Sequence, residues 1–197
     1  DSFDSRWHKP IEQMRSQSQR MENIVRDLLV LSSIATRAAP RAQEKIDLGE
    51  LAQEIKGHTQ EIMTEKQHNF SINCPNEIIL LGQRSELYSA LSNLVINAAK
   101  YTPAGGMIEL RAALDSTGVK IEVEDNGLGI ESHHIPRLTE RFYRVDPSRS
   151  AESGGTGLGL AIVKHILARH DSELEVKSTP RKGSVFGCHI PRERVLD

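Results

Sequence analysis

Apolar positions recur along the start of the chain at helical rather than strand spacing. Met14, Met21, Ile24, Leu28, Leu31 and Ile34 fall three, four and seven apart, the stripe of an amphipathic helix. The pattern predicts one long helix over 10–37, with Pro10 in its first turn. Such a stripe resembles a bundle seam and implies a partner helix or a second subunit, with packing on its own domain as the alternative. Ala38-Ala39-Pro40-Arg41-Ala42-Gln43 ends the helix and reads as a hinge.

Past Lys45-Ile46-Asp47 the periods alternate. Leu48, Leu51, Ile55 and Ile62 predict a helix over 48–66. Asn69–Cys74 and Ile78–Leu81 read as short strands around a Pro75-Asn76 turn. Leu87, Leu91, Leu94, Val95 and Ala98 then mark the inner face of a helix over 83–100. Two strands with strict period-two alternation follow, 107–112 and 119–124, joined by Asp115-Ser116-Thr117-Gly118. A short helix is expected over 132–142, a polar loop over 144–155, a helix over 157–170, and a closing hairpin from 172–178 and 184–190. This order predicts an α+β fold, a two-layer sandwich preceded by a long helix.

Composition narrows the function. A chain of 197 residues with 38% hydrophobic and 4% aromatic content supports an aliphatic core. A net charge of −2 argues against a nucleic-acid binder that works by neutralising phosphates. No apolar run approaches the roughly 20 residues of a membrane span. The opening Asp1-Ser2-Phe3-Asp4 resembles neither a signal peptide nor a natural start, so a piece of a longer chain is expected. Cys74 and Cys188, far apart and without CxxC spacing, read as reduced thiols of a cytosolic domain.

The candidate chemistry centres on two glycine segments and a helix edge. Ser153-Gly154-Gly155-Thr156-Gly157-Leu158-Gly159 turns directly into a helix whose inner face is Leu158, Ile162 and Ile166. Glycines admit close backbone approach, and a helix start leaves N–H groups unpaired, so the pair suits an anion such as phosphate. It is no Walker A loop, because no Lys follows Gly159 until Lys164, and no strand precedes it as a dinucleotide fingerprint requires. Ala161-Ile162-Val163-Lys164 lacks the companion motifs of a protein-kinase strand. Asp125-Asn126-Gly127-Leu128-Gly129-Ile130 leads from a strand toward a helix. A carboxylate there can accept a hydrogen bond from an exocyclic amine, whereas a calcium loop would need further oxygen donors. Asn93, Asn97, Lys100 and Tyr101 share one helix edge. An amide oxygen at Asn97 can ligate Mg²⁺, Lys100 can meet a phosphate, and Tyr101 can lie against a base.

Taken in order, these segments resemble the ATP-binding domain of sensor histidine kinases, within the group shared by gyrase, Hsp90 and MutL. Asn93-Leu94-Val95-Ile96-Asn97-Ala98-Ala99-Lys100-Tyr101-Thr102 is similar to the N box, and Asp125–Ile130 to the first glycine box. Glu140-Arg141-Phe142-Tyr143-Arg144-Val145-Asp146 is similar to the F box, and Gly155-Thr156-Gly157-Leu158-Gly159-Leu160 to the second glycine box. The run from Arg20 to Ser32 resembles the second helix of the dimerisation hairpin. The wording of 134–164 resembles the phosphate-regulon branch of the family.

The resemblance implies two domains: 1–42, part of a dimerisation and phosphotransfer hairpin without its phosphoacceptor helix, and 43–197, the catalytic ATP-binding domain. Asp125 would bind the adenine amine, with Tyr101 beside the ring, and Asn97 would hold Mg²⁺. Asn93, Lys100 and Arg144 would meet the phosphates of ATP. Gly127, Gly129, Gly155, Thr156, Gly157, Leu158 and Gly159 would shape the pocket and a lid that moves in the absence of nucleotide. A Glu commonly stands at the Asn93 position in ATP-hydrolysing relatives, and its absence favours phosphoryl transfer over hydrolysis. Arg181-Lys182-Gly183-Ser184 departs from the last glycine box and is given no catalytic role.

No histidine fits the phosphoacceptor pattern of an acid next and a proline beyond. His8-Lys9-Pro10 reads as loop, His170-Asp171 has Glu175 where the proline belongs, and His133 and His134 read as a solvated helix edge. A zinc site is not expected. The implied protein passes the γ-phosphoryl of ATP to a histidine and then to an aspartate on a response regulator. It would be a homodimer, membrane-anchored outside this stretch, with this part in the cytoplasm. A docking module with an unused nucleotide site, or a hydrolase of the gyrase group, are the competing readings.

Overall fold

The computed structural model describes residues 2–36, 43–75, 77–146 and 155–196. Helix α1 (Ser2–Thr36) leads to β1 (Glu44–Asp47), α2 (Leu48–Glu65), β2 (Asn69–Asn73), β3 (Ile79–Gly82) and α3 (Arg84–Tyr101). After these come β4 (Met107–Asp115), β5 (Gly118–Asp125), a 3-10 segment (Ser132–Arg137), α4 (Gly159–Arg169), β6 (Leu174–Thr179), β7 (Gly183–Pro191) and β8 (Val195–Leu196). The expected hinge at 38–43, except for Gln43, and the middle of the polar loop, 147–154, lie outside the described residues.

Five strands form one sheet in the order β2-β4-β5-β7-β6, parallel between β2 and β4 and antiparallel elsewhere. Alternation along β4 and β5 turns Ile108, Leu110, Ala112, Val119, Ile121 and Val123 toward the helices. The other face is wet: Arg111 pairs there with Glu109, Glu122 and Glu124. Helices α2, α3 and α4 cover the inner face with Leu51, Ile55, Leu91, Leu94, Ile162 and Ile166, each almost fully buried. The architecture is the two-layer α+β sandwich. A small second sheet, β1-β3-β8, closes one end. Asp47 ends β1 and caps α2, its carboxylate accepting from Glu50 N at 2.9 Å.

Some expectations need correction. Helix α1 begins at Ser2 and not at Pro10, so His8 is helical and exposed and Pro10 lies within the helix. Proline removes only its own N–H rung, and the helix continues upstream of it. The stripe on α1 also divides. Ile24 and Leu31 pack on the core of the chain's own domain, Leu31 at 5% exposure, while Met14 (71%) and Met21 (60%) face outward. The segment 132–142 is a series of tight turns rather than an α-helix: Leu138 N bonds Ile135 O, Glu140 N bonds Arg137 O and Tyr143 N bonds Glu140 O. Pro136 within it cannot donate. Nor is His134 merely solvated, for its Nδ1 lies 2.6 Å from the Tyr143 hydroxyl.

Candidate functional site

The inward alternation of β5 runs 119, 121, 123 and then reaches Asp125, a carboxylate on the core face where the pattern calls for an apolar side chain. It is buried opposite Ile108 on β4 and Ser184 on β7. Asp125 Oδ1 accepts from Gly127 N at 2.8 Å. Burial pushes its carboxyl above the usual range, while the backbone bonds from Gly127 and Ser184 pull the other way. A buried carboxylate in this state is expensive without a partner.

The neighbouring element is the end of α3. Helix α3 stops because Pro103 forces Thr102 into extended backbone. Tyr101 O then accepts from Leu128 N at 3.1 Å. The contact requires a bare backbone at Gly127, whose Cβ would sit 2.5 Å from that same Tyr101 oxygen. Asn126 completes the join, its amide oxygen accepting from Met107 N at 2.8 Å. Thr102 is buried beside this turn, and its hydroxyl has no hydrogen-bond partner among the described residues. A buried carboxylate and an unmatched hydroxyl together suit a ligand with both a donor and an acceptor edge, such as adenine.

The other end of the site is cationic. Lys100 is half-buried, and its ammonium is pushed down chiefly by burial, then by the charge of Arg144; Asp27 opposes this and Lys66 adds to it. Arg144 Nη1 donates to Gly155 O. Gly157 (φ 74°) accepts from Phe142 N at 2.9 Å, and Thr156 Oγ1 accepts from Leu158 N at 3.1 Å. A Cβ on Gly159 would lie 2.6 Å from Asn93 Oδ1, so the start of α4 abuts the edge of α3. Asn93 Nδ2 meanwhile bonds back to Ser89 O at 2.8 Å. Asn97 is half-buried one turn before Tyr101.

A hollow of about 300 Å³ opens beside the last turn of α3, lined in part by Lys66, Lys100, Tyr101, Thr102 and Leu128. Asp125 stands behind this wall rather than in it, linked through Gly127 and Leu128. The fold thus sets these segments along the C-terminal half of α3, with the start of α4 against Asn93 and the Asp125 turn against Tyr101. Gly129 lies farther along, packed on the β6–β7 turn at Thr179 and Pro180.

The Gly183–Ser184 pair, expected to have no catalytic role, borders the site. Gly183, at φ 109°, lets β7 start against Asp125, where any Cβ would overlap the Asp125 carbonyl oxygen. Ser184 Oγ bonds Ser178 Oγ at 2.9 Å, and Ser178 in turn accepts from Ile130 N. A retained glycine next to a hydroxyl was the available signal at these positions. Thr102 was marked only as the last residue of the run similar to the N box, before Pro103.

Residues 82–194 match the family described as histidine kinase-, DNA gyrase B-, and HSP90-like ATPase. The chain belongs to that family. It is a sensor histidine kinase ATPase domain close to the phosphate regulon sensor PhoR: it is 42% identical over 197 residues to that protein of Pseudomonas aeruginosa. The match covers all of this chain and 44% of the relative, so the chain spans less than half the relative's length. Among solved structures, full-length ShkA in complex with AMPPNP superposes with a TM-score of 0.79 at 23% identity, over 93% of this chain and 38% of that one. ThkA in complex with the response regulator TrrA gives 0.75 at 22% identity, over 94% and 51%. Both share the fold. Among the described residues no helix is long and apolar enough to cross a membrane.

Proposed function

We propose that this chain binds Mg-ATP and, within a longer sensor kinase, delivers the γ-phosphoryl group to a histidine on a dimerisation helix and then to an aspartate on a response regulator. The observation that carries the reading is the junction of α3 with the β5 turn, where Leu128 N meets Tyr101 O and the buried carboxyl of Asp125 lies directly behind. In this reading Asp125 accepts from the adenine amine, Thr102 completes the base edge, and Tyr101 lies beside the ring. Asn93, Lys100 and Arg144 meet the phosphates, and Gly155, Gly157 and Gly159 let backbone N–H groups approach them. Asn97 would hold Mg²⁺, a hard ion suited to an amide oxygen and several waters, which would neutralise phosphate charge. The chain's own contribution is then to position the phosphates and offset their charge.

The ShkA–AMPPNP complex supports the nucleotide and the ThkA–TrrA complex supports a response-regulator partner. Residues 1–42 fit the second helix of a dimerisation hairpin and 43–197 the catalytic domain, in a homodimeric, membrane-anchored parent with this part in the cytoplasm. The chain alone would not phosphorylate itself. His8 is followed by Lys9 and not by an acid, and His170 is buried with both ring nitrogens engaged.

Calorimetry with AMPPNP and Mg²⁺ tests the reading. Saturable one-site binding is expected, and no heat of binding would leave a docking module with an unused site. Rapid phosphate release from ATP would favour a hydrolase, a reading that the amide at Asn93 opposes because it cannot act as a general base.

A further inference from the structure

Helix α2 ends in a left-handed turn at Gln67 (φ 54°), and this turn places Lys66 against a helix remote in sequence. Lys66 Nζ donates to Ala99 O at 2.8 Å and Lys100 O at 3.1 Å, two of the last carbonyls of α3. Those carbonyls have no partner within their own helix and form the negative end of its dipole. The backbone of Lys66 is held as well: its carbonyl accepts from Gly105 N at 2.9 Å, and Gly105 belongs to the loop that follows Thr102. His68 adds a third tie, with Nε2 lying 3.1 Å from both Thr102 O and Pro103 O. One short turn therefore holds the C-terminal end of α3 and the loop after it at several points.

That end of α3 is where Lys100, Tyr101 and Thr102 line the hollow, and Lys66 lines it with them. We infer that Lys66 is a positioning residue of the nucleotide site: by holding the carbonyls of Ala99 and Lys100 it fixes the turn that presents Tyr101 and Thr102 to the base. The inference rests on the nucleotide reading above. Its charge also loosens the proton of Lys100, after burial and the charge of Arg144 and against that of Asp27. Nothing in the run Thr64-Glu65-Lys66-Gln67-His68 marks the residue in the sequence.

The test compares the 197-residue chain with K66M and K66R, titrated with AMPPNP plus Mg²⁺ and separately with adenosine, well below each protein's melting temperature. K66M is expected to bind both ligands about tenfold more weakly, because the base end is disturbed. K66R, which keeps a donor cation, should stay within about twofold of the parent. A residue that only caps α3 would lower the melting temperature of K66M and leave both affinities unchanged, and that result overturns the inference. Loss of AMPPNP affinity alone, with adenosine unaffected, also overturns it, by showing a direct phosphate contact. If K66M does not fold, K66Q supplies the same comparison. Failure of the parent chain to bind AMPPNP would refute the nucleotide reading itself, a result distinct from all of these.

Discussion

Thr156 Oγ1 donates to Asp27 Oδ2 at 2.7 Å, so a residue of the N-terminal helix holds the second glycine segment. Asp27 reaches it because it lies between Ile24 and Leu31 on the face of α1 that packs against the domain. The same carboxylate acts on Lys100, raising its affinity for a proton. An intramolecular anion thus stands among the groups assigned to the phosphates.

Removing that anion should free them. Asp27→Ala is expected to tighten AMPPNP binding about fivefold, corresponding to ~1 kcal/mol for one charge-assisted hydrogen bond released. Calorimetry reads the change directly. Weaker binding in the variant would instead make Asp27 part of the nucleotide site.

Asp125→Asn separates binding from stability. The carboxyl is buried and its folded pKa lies above the unfolded value, so the native state holds its proton more tightly. Its contribution to stability is therefore full at low pH and is lost as pH rises through the folded pKa. At pH 7.5 the variant should melt at the same temperature as the parent or higher, with the gap closing as pH falls toward about 4. Nucleotide affinity should fall about 30-fold, or ~2 kcal/mol, for the lost charged acceptor. Melting curves across pH and a binding titration check the two halves independently, and unchanged affinity would remove Asp125 from the base site.

His170 shows the opposite sign. Gln83 N can only donate, so Nε2 of His170, 3.2 Å away, accepts, and the ring proton sits on Nδ1, donating to Ile166 O at 2.8 Å. Burial pushes the imidazole below its ordinary pKa. The unfolded chain then binds more protons below about pH 6.5, and stability falls as pH drops through the folded pKa, by up to about 1.4 kcal/mol per pH unit. Urea midpoints at pH 7.5 and 5.5 should differ more for the parent than for His170→Gln. Equal differences would mean that the ring gains its proton without cost.

What the sequence made legible were contacts that obey a period. The alternation of β4 and β5 and the stripe of α3 set the sheet and the covering helix. The α4 face of Leu158, Ile162 and Ile166 is read the same way, and all three are buried. Strands β1 and β8, of four and two residues, are too short to show a period. Pro10 misplaced the start of α1 because proline favours a first turn without requiring one. Lys66 and the Asp27–Thr156 bond were hidden for another reason. Each depends on residues brought together from distant parts of the chain, and no local pattern encodes such a meeting.

Gly183 offers a last test, at the one glycine kept from a motif that otherwise departs from its family's form. Its φ of 109° is a conformation that side chains rarely adopt, and a Cβ there would overlap the Asp125 carbonyl oxygen. Gly183→Ala must therefore move β7 away from β5 at the register position where Ser184 faces Asp125. Backbone strain of this kind costs about 3 kcal/mol, which for a domain of this size is a loss of roughly 9 °C in melting temperature. Nucleotide affinity should fall with it, because the Asp125 carboxylate loses its Ser184 partner and its aim. A variant that melts lower yet binds AMPPNP as well as the parent would show that β7 supports the fold without setting the position of the carboxylate. Thermal melts and a titration on one preparation decide between the two.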